Sequence, residues 1–184
     1  MMKKIMAVVL CILLAVSCGL AAAESAQKED YTVVTVNGAF KIRGITPEGY
    51  QLADSQNLDG AIWASFSSAD PTKPYFDLVI SFAEEYANVE KLNDLSDAEM
   101  KQLVGDDPTV NEKYDVMETD FGTKVLILRS NNPDDDSACF ITIYRGYEIA
   151  LNLFPGFESS APLSDDQISQ AMKFLSDLDF VPAE

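Results

Sequence analysis

Short runs of β-type hydrophobic residues, punctuated by glycine and proline, occupy most of this chain, and two stretches break that pattern with helical spacing. The first run, "YTVVTVNGAFKIRGI", predicts strands over Tyr31 to Val36 and Phe40 to Ile45, joined at Asn37-Gly38, a dipeptide suited to a tight hairpin turn. "TPEGYQL" follows as a turn and a further extended piece. Ala61 to Phe66 and Tyr75 to Phe82 are β-rich runs, and the two prolines of "SSADPTKP" make a loop between them. "LNDLSDAEMKQLVG" predicts a short helix in which Ser96 caps, Glu99 completes a capping box and Gly105 ends the element, with Met100, Leu103 and Val104 on one face. "PLSDDQISQAMKFLSDLDFVP" repeats the device with Ser164 and Gln167. Its Ile168, Ala171, Met172, Leu175 and Leu178 form a stripe that needs a core to cover it.

Three runs between and before these helical signals are apolar on both sides. "TKVLILRS" sets Val125 and Ile127 on one face and Leu126 and Leu128 on the other, and "ACFITIY" and "YEIALNLF" are nearly as apolar. Only Arg145-Gly146 separates the last two, so they must pair antiparallel. These strands are expected at the centre of a sheet, with the two helices as their cover. The fold class is therefore α+β: an antiparallel β-sheet with helices packed on both faces, an α/β/α sandwich.

The N-terminus changes where this fold is expected to operate. Lys3 and Lys4, an apolar run from Ile5 to Val16, and Ala21-Ala22-Ala23 have the layout of a secretory signal peptide over residues 1–23. Residues 24–38 then form an N-terminal extension and first strand, and 39–184 a single α+β domain. "AVSCG" around Cys18 is an imperfect lipobox, with Ala15 where leucine is usual, so a lipid anchor at Cys18 is the lesser alternative to cleavage after Ala23. The run is too short to cross a bilayer, for which about 20 apolar residues are needed, and no transmembrane segment is expected after it. The localisation implied is secreted or extracytoplasmic, in the cell envelope. Cys139 is the one cysteine outside the leader. It sits in an apolar run with no histidine or basic residue beside it, and is expected as a small buried hydrophobe.

Charge and composition then remove whole classes of chemistry. The chain carries 30 acidic and 13 basic residues, a net charge of −17, and loss of Lys3 and Lys4 with the leader leaves 11 basic residues and a net of −19. Such a surface repels phosphate backbones and excludes nucleic acid as a natural partner. Histidine is absent, which rules out Ser-His-Asp and Cys-His nucleophile systems and histidine-bound zinc or haem. No phosphate-cradling glycine motif and no nucleophile elbow occurs. Carboxylate chemistry survives, because a glycosidase needs only two acids at a suitable separation.

The acids of "RSNNPDDDSACF" are the nearest approach to a metal motif. Asp134, Asp135 and Asp136 fall between two consecutive antiparallel strands, and asparagine, proline and aspartate suit successive turn positions. A calcium loop would alternate its acids and add a glycine and a distant glutamate. The expectation is a solvated turn, as it is for "GDDP" at Gly105 to Pro108; no catalytic, cofactor-binding or metal-ligating residue is assigned and no cofactor is expected.

"PEGY" after an early strand, "LNDLSDAEM" leading into a helix, "GTKVLILRSN", an acidic hairpin tip, "CFITIYRGYEIALNLF" and the closing "FLSDLDFV" together resemble a group of secreted, uncharacterised proteins of Gram-positive bacteria. Their fold is similar to the PsbP-like α/β/α sandwich, which also houses an extrinsic photosystem II subunit and a nuclear-transport factor that binds Ran. The likeness covers roughly Phe40 to Val181. Its motifs are caps, strands and turns, so it implies a fold and transfers no catalytic residue. The function it suggests is an exported binding or accessory module that contacts an unknown protein partner through a sheet edge or loops. The alternative is a carboxylate-dependent hydrolase of envelope or dietary polymers.

Overall fold

The computed structural model describes residues 30–34, 40–58, 61–104, 114–119, 122–130 and 136–182. The leader, Cys18, the Asn37-Gly38 turn, Gly105 to Pro108, Asp134 and Asp135 lie outside the described residues.

Seven strands make one antiparallel sheet: β3 (Tyr50–Leu58), β4 (Ala61–Ser68), β5 (Tyr75–Phe82), β6 (Tyr114–Glu118), β7 (Lys124–Arg129), β8 (Ala138–Tyr144) and β9 (Tyr147–Phe154). Their spatial order is β3-β4-β5-β9-β8-β7-β6. Only β5 to β9 joins strands that are distant in the chain, and it unites an N-terminal meander with a C-terminal one. A second, three-stranded sheet has β2 (Phe40–Ile45) between β1 (Asp30–Val34) and β10 (Asp179–Pro182). Arg43 and Asp179 form an exposed ion pair at 2.7 Å across it. The two helices are α1 (Asp97–Val104) and α2 (Asp165–Ser176).

Local chemistry explains the turns. Arg145 (φ 51°) and Gly146 (φ 78°) both adopt left-handed dihedrals, as a two-residue turn matched to the twist of its strands requires. Arg145 bears the cost of that geometry in a side chain held at 3.0 Å from Glu90 and 5.3 Å above the Tyr144 ring. Both capping boxes form. Ser164 accepts from the Gln167 N–H while Gln167 accepts from the Ser164 N–H, and Glu99 accepts from the Ser96 N–H at 2.8 Å.

Two clusters of buried residues flank the seven-stranded sheet. The first joins Ile62, Ala64 and Phe66 of β4, Phe76, Leu78 and Ile80 of β5, alternate residues of β7 to β9, and Ala171, Met172, Phe174 and Leu175 of α2. Phe174 meets Phe66 edge-on at 5.1 Å and stacks on Phe76 at 5.7 Å, so it is as central as the expected stripe, of which Ile168 is only partly buried. Ile42 of the small sheet is buried in the same cluster. The second cluster joins Leu126 and Leu128 of β7 and Ile141 and Ile143 of β8 to Leu92, Leu95, Met100 and Val104. Val125 and Ile127 therefore enter one cluster and their neighbours the other, as period-two alternation demands.

One placement differs from expectation. The middle strand is β9, and β7 lies one place from the edge, beside β6. It is nonetheless apolar on both sides because the α1 cluster sits over this end of the sheet. The β6–β7 turn is fixed by buried threonines: Thr119 Oγ1 donates to the Thr123 carbonyl at 2.9 Å, and Thr142 Oγ1 to the Lys124 carbonyl at 2.8 Å.

Candidate binding face

The two clusters do not extend equally over the sheet. Among the described residues, the α1 cluster takes nothing from β3, β4 or β5, and from β9 only Ala150, partly buried at its margin. The set of side chains on this half that faces away from the first cluster is half-buried. It comprises Trp63 and Ser65 of β4, Tyr75, Asp77, Val79 and Ser81 of β5, and Glu148, Asn152 and Phe154 of β9. Strand register aligns Ser65, Asp77, Asn152 and Cys139 in one row across four strands, with Trp63, Val79 and Ala150 in the next. Polar and aromatic residues thus share a surface whose opposite side is wholly apolar.

Asp77 is the carboxylic acid of that row. Burial pushes its carboxyl above the usual range, against hydrogen bonds from the Ser65 and Trp63 side chains that lower it. Its Oδ1 is buried without a hydrogen-bond partner among the described residues. Glu148 is also raised, by burial first and then by the charge of Glu85. Cys139 is half-buried against the α1 cluster rather than sealed in the core, because its side of β8 lies at that cluster's margin. Its thiol is nevertheless pushed up to about 12 by burial and then by Glu148, so it stays protonated and unreactive at neutral pH.

Beyond Glu148 the face runs toward a cleft of about 410 Å³, lined by Glu85, Tyr86, Val89, Leu95, Glu99 and Gln102. The Tyr86 hydroxyl is raised by burial and by Glu85, Glu148 and Glu99. No three metal-ligating side chains converge among the described residues. At the other end Tyr75 stacks on Phe154 (4.8 Å, 18°) and on Phe157 (4.8 Å, 6°), and Phe157 is 71% exposed. The face can therefore offer a flat aromatic end, a row of hydrogen-bonding groups and acids that take up protons readily.

The acidic hairpin reads differently in part from the sequence. Asp136 is not a solvated tip residue: it is half-buried, accepts a hydrogen bond from the Leu163 N–H and lies 4.0 Å from Arg129. Arg129 also donates to the Leu163 carbonyl at 3.1 Å. Asp136 thus fastens the β7–β8 hairpin to the entry of α2, across 27 residues of chain that no local turn rule could span.

No family model matches this sequence, and no curated protein does. Among solved structures the fold is similar to the solution structure of cyanobacterial PsbP from Synechocystis. The TM-score is 0.50 and the identity 14%, over 90% of this chain and 98% of that one. At that identity the likeness is one of fold. The chain has a PsbP-like fold built on an antiparallel sheet and two helices.

Proposed function

We propose that this chain is an exported binding or accessory module of the cell envelope, an α/β/α sandwich of the secreted Gram-positive group that its sequence resembles. It would contact a protein partner through the half-buried face of β4, β5 and β9. The observation that carries this reading is the one-sided core: α1 and its neighbours bury the β7–β8 end of the face, while the β4–β5–β9 end keeps Trp63, Asp77 and Asn152 half-buried. Burying a carboxylate with an unpartnered oxygen costs about 1–3 kcal/mol, a cost this face carries at its centre.

The hydrolase reading has weaker support. The two acids of the face with raised pKa, Asp77 and Glu148, lie on neighbouring strands and four residues apart in register, since Glu148 pairs with Ser81. Strand rise and spacing put their backbones about 14 Å apart. Paired glycosidase carboxylates need about 5–10 Å.

Arginine substitutions test the proposal. Ser81→Arg and Val79→Arg should abolish co-purification of a partner from the native envelope fraction while Gln170→Arg, on the exposed side of α2, leaves it intact. Equal retention by all three, with melting temperatures unchanged, would refute the face.

A further inference from the structure

The aromatic end of this face carries an inference about what it binds, and it rests on the binding-module reading above. Phe157 is 71% exposed, and an isolated exposed apolar side chain would need no explanation. This one is built in. Its ring stacks on Tyr75 within 6° of parallel, and Tyr75 stacks in turn on Phe154. The preceding Gly156 is seated so closely on the β4–β5 loop that a Cβ there would fall 2.5 Å from the Pro71 carbonyl oxygen. The Glu158 N–H donates to that same oxygen at 3.2 Å, and the Ser159 N–H to the Gly156 carbonyl at 2.9 Å. Two loops are locked together, and the product of the lock is a fixed, outward ring.

The charges around the ring select its occupant. Glu158 follows it directly and is exposed, and Asp70 stands in the loop on which Gly156 rests. The chain as a whole carries −17. Lys73, in the same loop, acts on Asp70, and its ammonium lies 3.5 Å from where a Cβ on Gly49 would stand, which leaves Glu158 as the acid beside the ring. The negative face of an aromatic ring with Glu158 beside it complements a flat cation. A ring already held in place also loses little freedom on binding.

We propose that Phe157 anchors a basic side chain of a cationic protein partner, with an arginine guanidinium lying over the ring and Glu158 at its edge. The probe is the peptide acetyl-Gly-Arg-Gly-amide, titrated at low salt while the amide resonances of Phe157, Glu158 and Tyr75 are followed, with the norleucine peptide as the neutral control. Saturable shifts at these positions are expected for the arginine peptide alone. Phe157→Leu, which keeps an apolar side chain, should weaken binding about 2–5-fold, and Phe157→Tyr should retain it. Equal shifts with norleucine would show an apolar site, and arginine shifts spread over the acidic surface and indifferent to Phe157→Leu would show bulk electrostatics. Either result overturns the proposal while leaving the partner face, tested at Val79 and Ser81, to stand or fall separately.

Discussion

At the scale of single residues, this chain holds several side chains in positions that cost stability, and their replacement is informative. Asp77 and Glu148 have carboxyls raised in the folded state, so the native protein binds their protons more readily than the unfolded chain does. Their stabilising contribution is complete below the unfolded carboxylate value of about 4 and is lost as pH rises through the raised folded value. Asp77→Asn should therefore melt higher than the parent at pH 7, by a gain on the order of 1 kcal/mol, and the difference should vanish near pH 4. Thermal melts across that range measure it. Gly156→Ala should have the opposite sign, because its methyl would force the Pro71–Thr72 backbone away, at a cost of about 1–3 kcal/mol in denaturant titrations. Cys139 should react with a bulky maleimide far more slowly in the folded protein than in denaturant, since its thiol is both half-buried and raised to about 12.

At the scale of elements, the parts governed by near neighbours were legible in the sequence and the parts governed by distant ones were not. The two capping boxes are contained within four residues each, and Ser164, Gln167, Ser96 and Glu99 do what their spacing implies. Arg145-Gly146 is equally local. Strand β6, "YDVME", has too little apolar alternation to stand out and is defined by its pairing with β7. Strand β10 exists only because Phe180 and Val181 meet Ile42 and Lys41 from the far end of the chain. Tyr75, Asp77 and Ser81 of "YFDLVISF" share a face by period-two alternation, a pattern that reading the run only as β-rich did not draw out. That this side aligns with Glu148 and Asn152 depends on the β5–β9 pairing, which no turn signal announces. Asp136 is the instructive case, because its turn chemistry favoured a solvated tip and its partner lies at Leu163. Asp136→Ala should cost about 1.5–3 kcal/mol, the usual worth of a hydrogen bond to a charged group, reduced by its partial exposure. Ser164→Ala should cost about 0.5–2 kcal/mol through the loss of its cap. Chemical denaturation of the two variants ranks the tie against the cap.

At the scale of the whole molecule, the architecture divides labour between the two sides of one sheet. The first side is continuous core from β4 to β7, closed by α2 and by Ile42 of the small sheet. The second is core only at the β7–β8 end, and elsewhere it presents Trp63, Asp77, Val79 and Asn152, bounded by the Phe157 stack and the Tyr86 cleft. A sheet apolar on one side alone needs no partner to fold, which leaves its other side available for recognition. Site-specific photo-crosslinking tests that claim most directly, with a photoreactive residue placed at Val79 or, for comparison, at Gln170 in protein made by its native producing cells. The account predicts one discrete adduct from Val79 and none from Gln170. Adducts from Gln170 but not from Val79, or the same adducts from both, would contradict it.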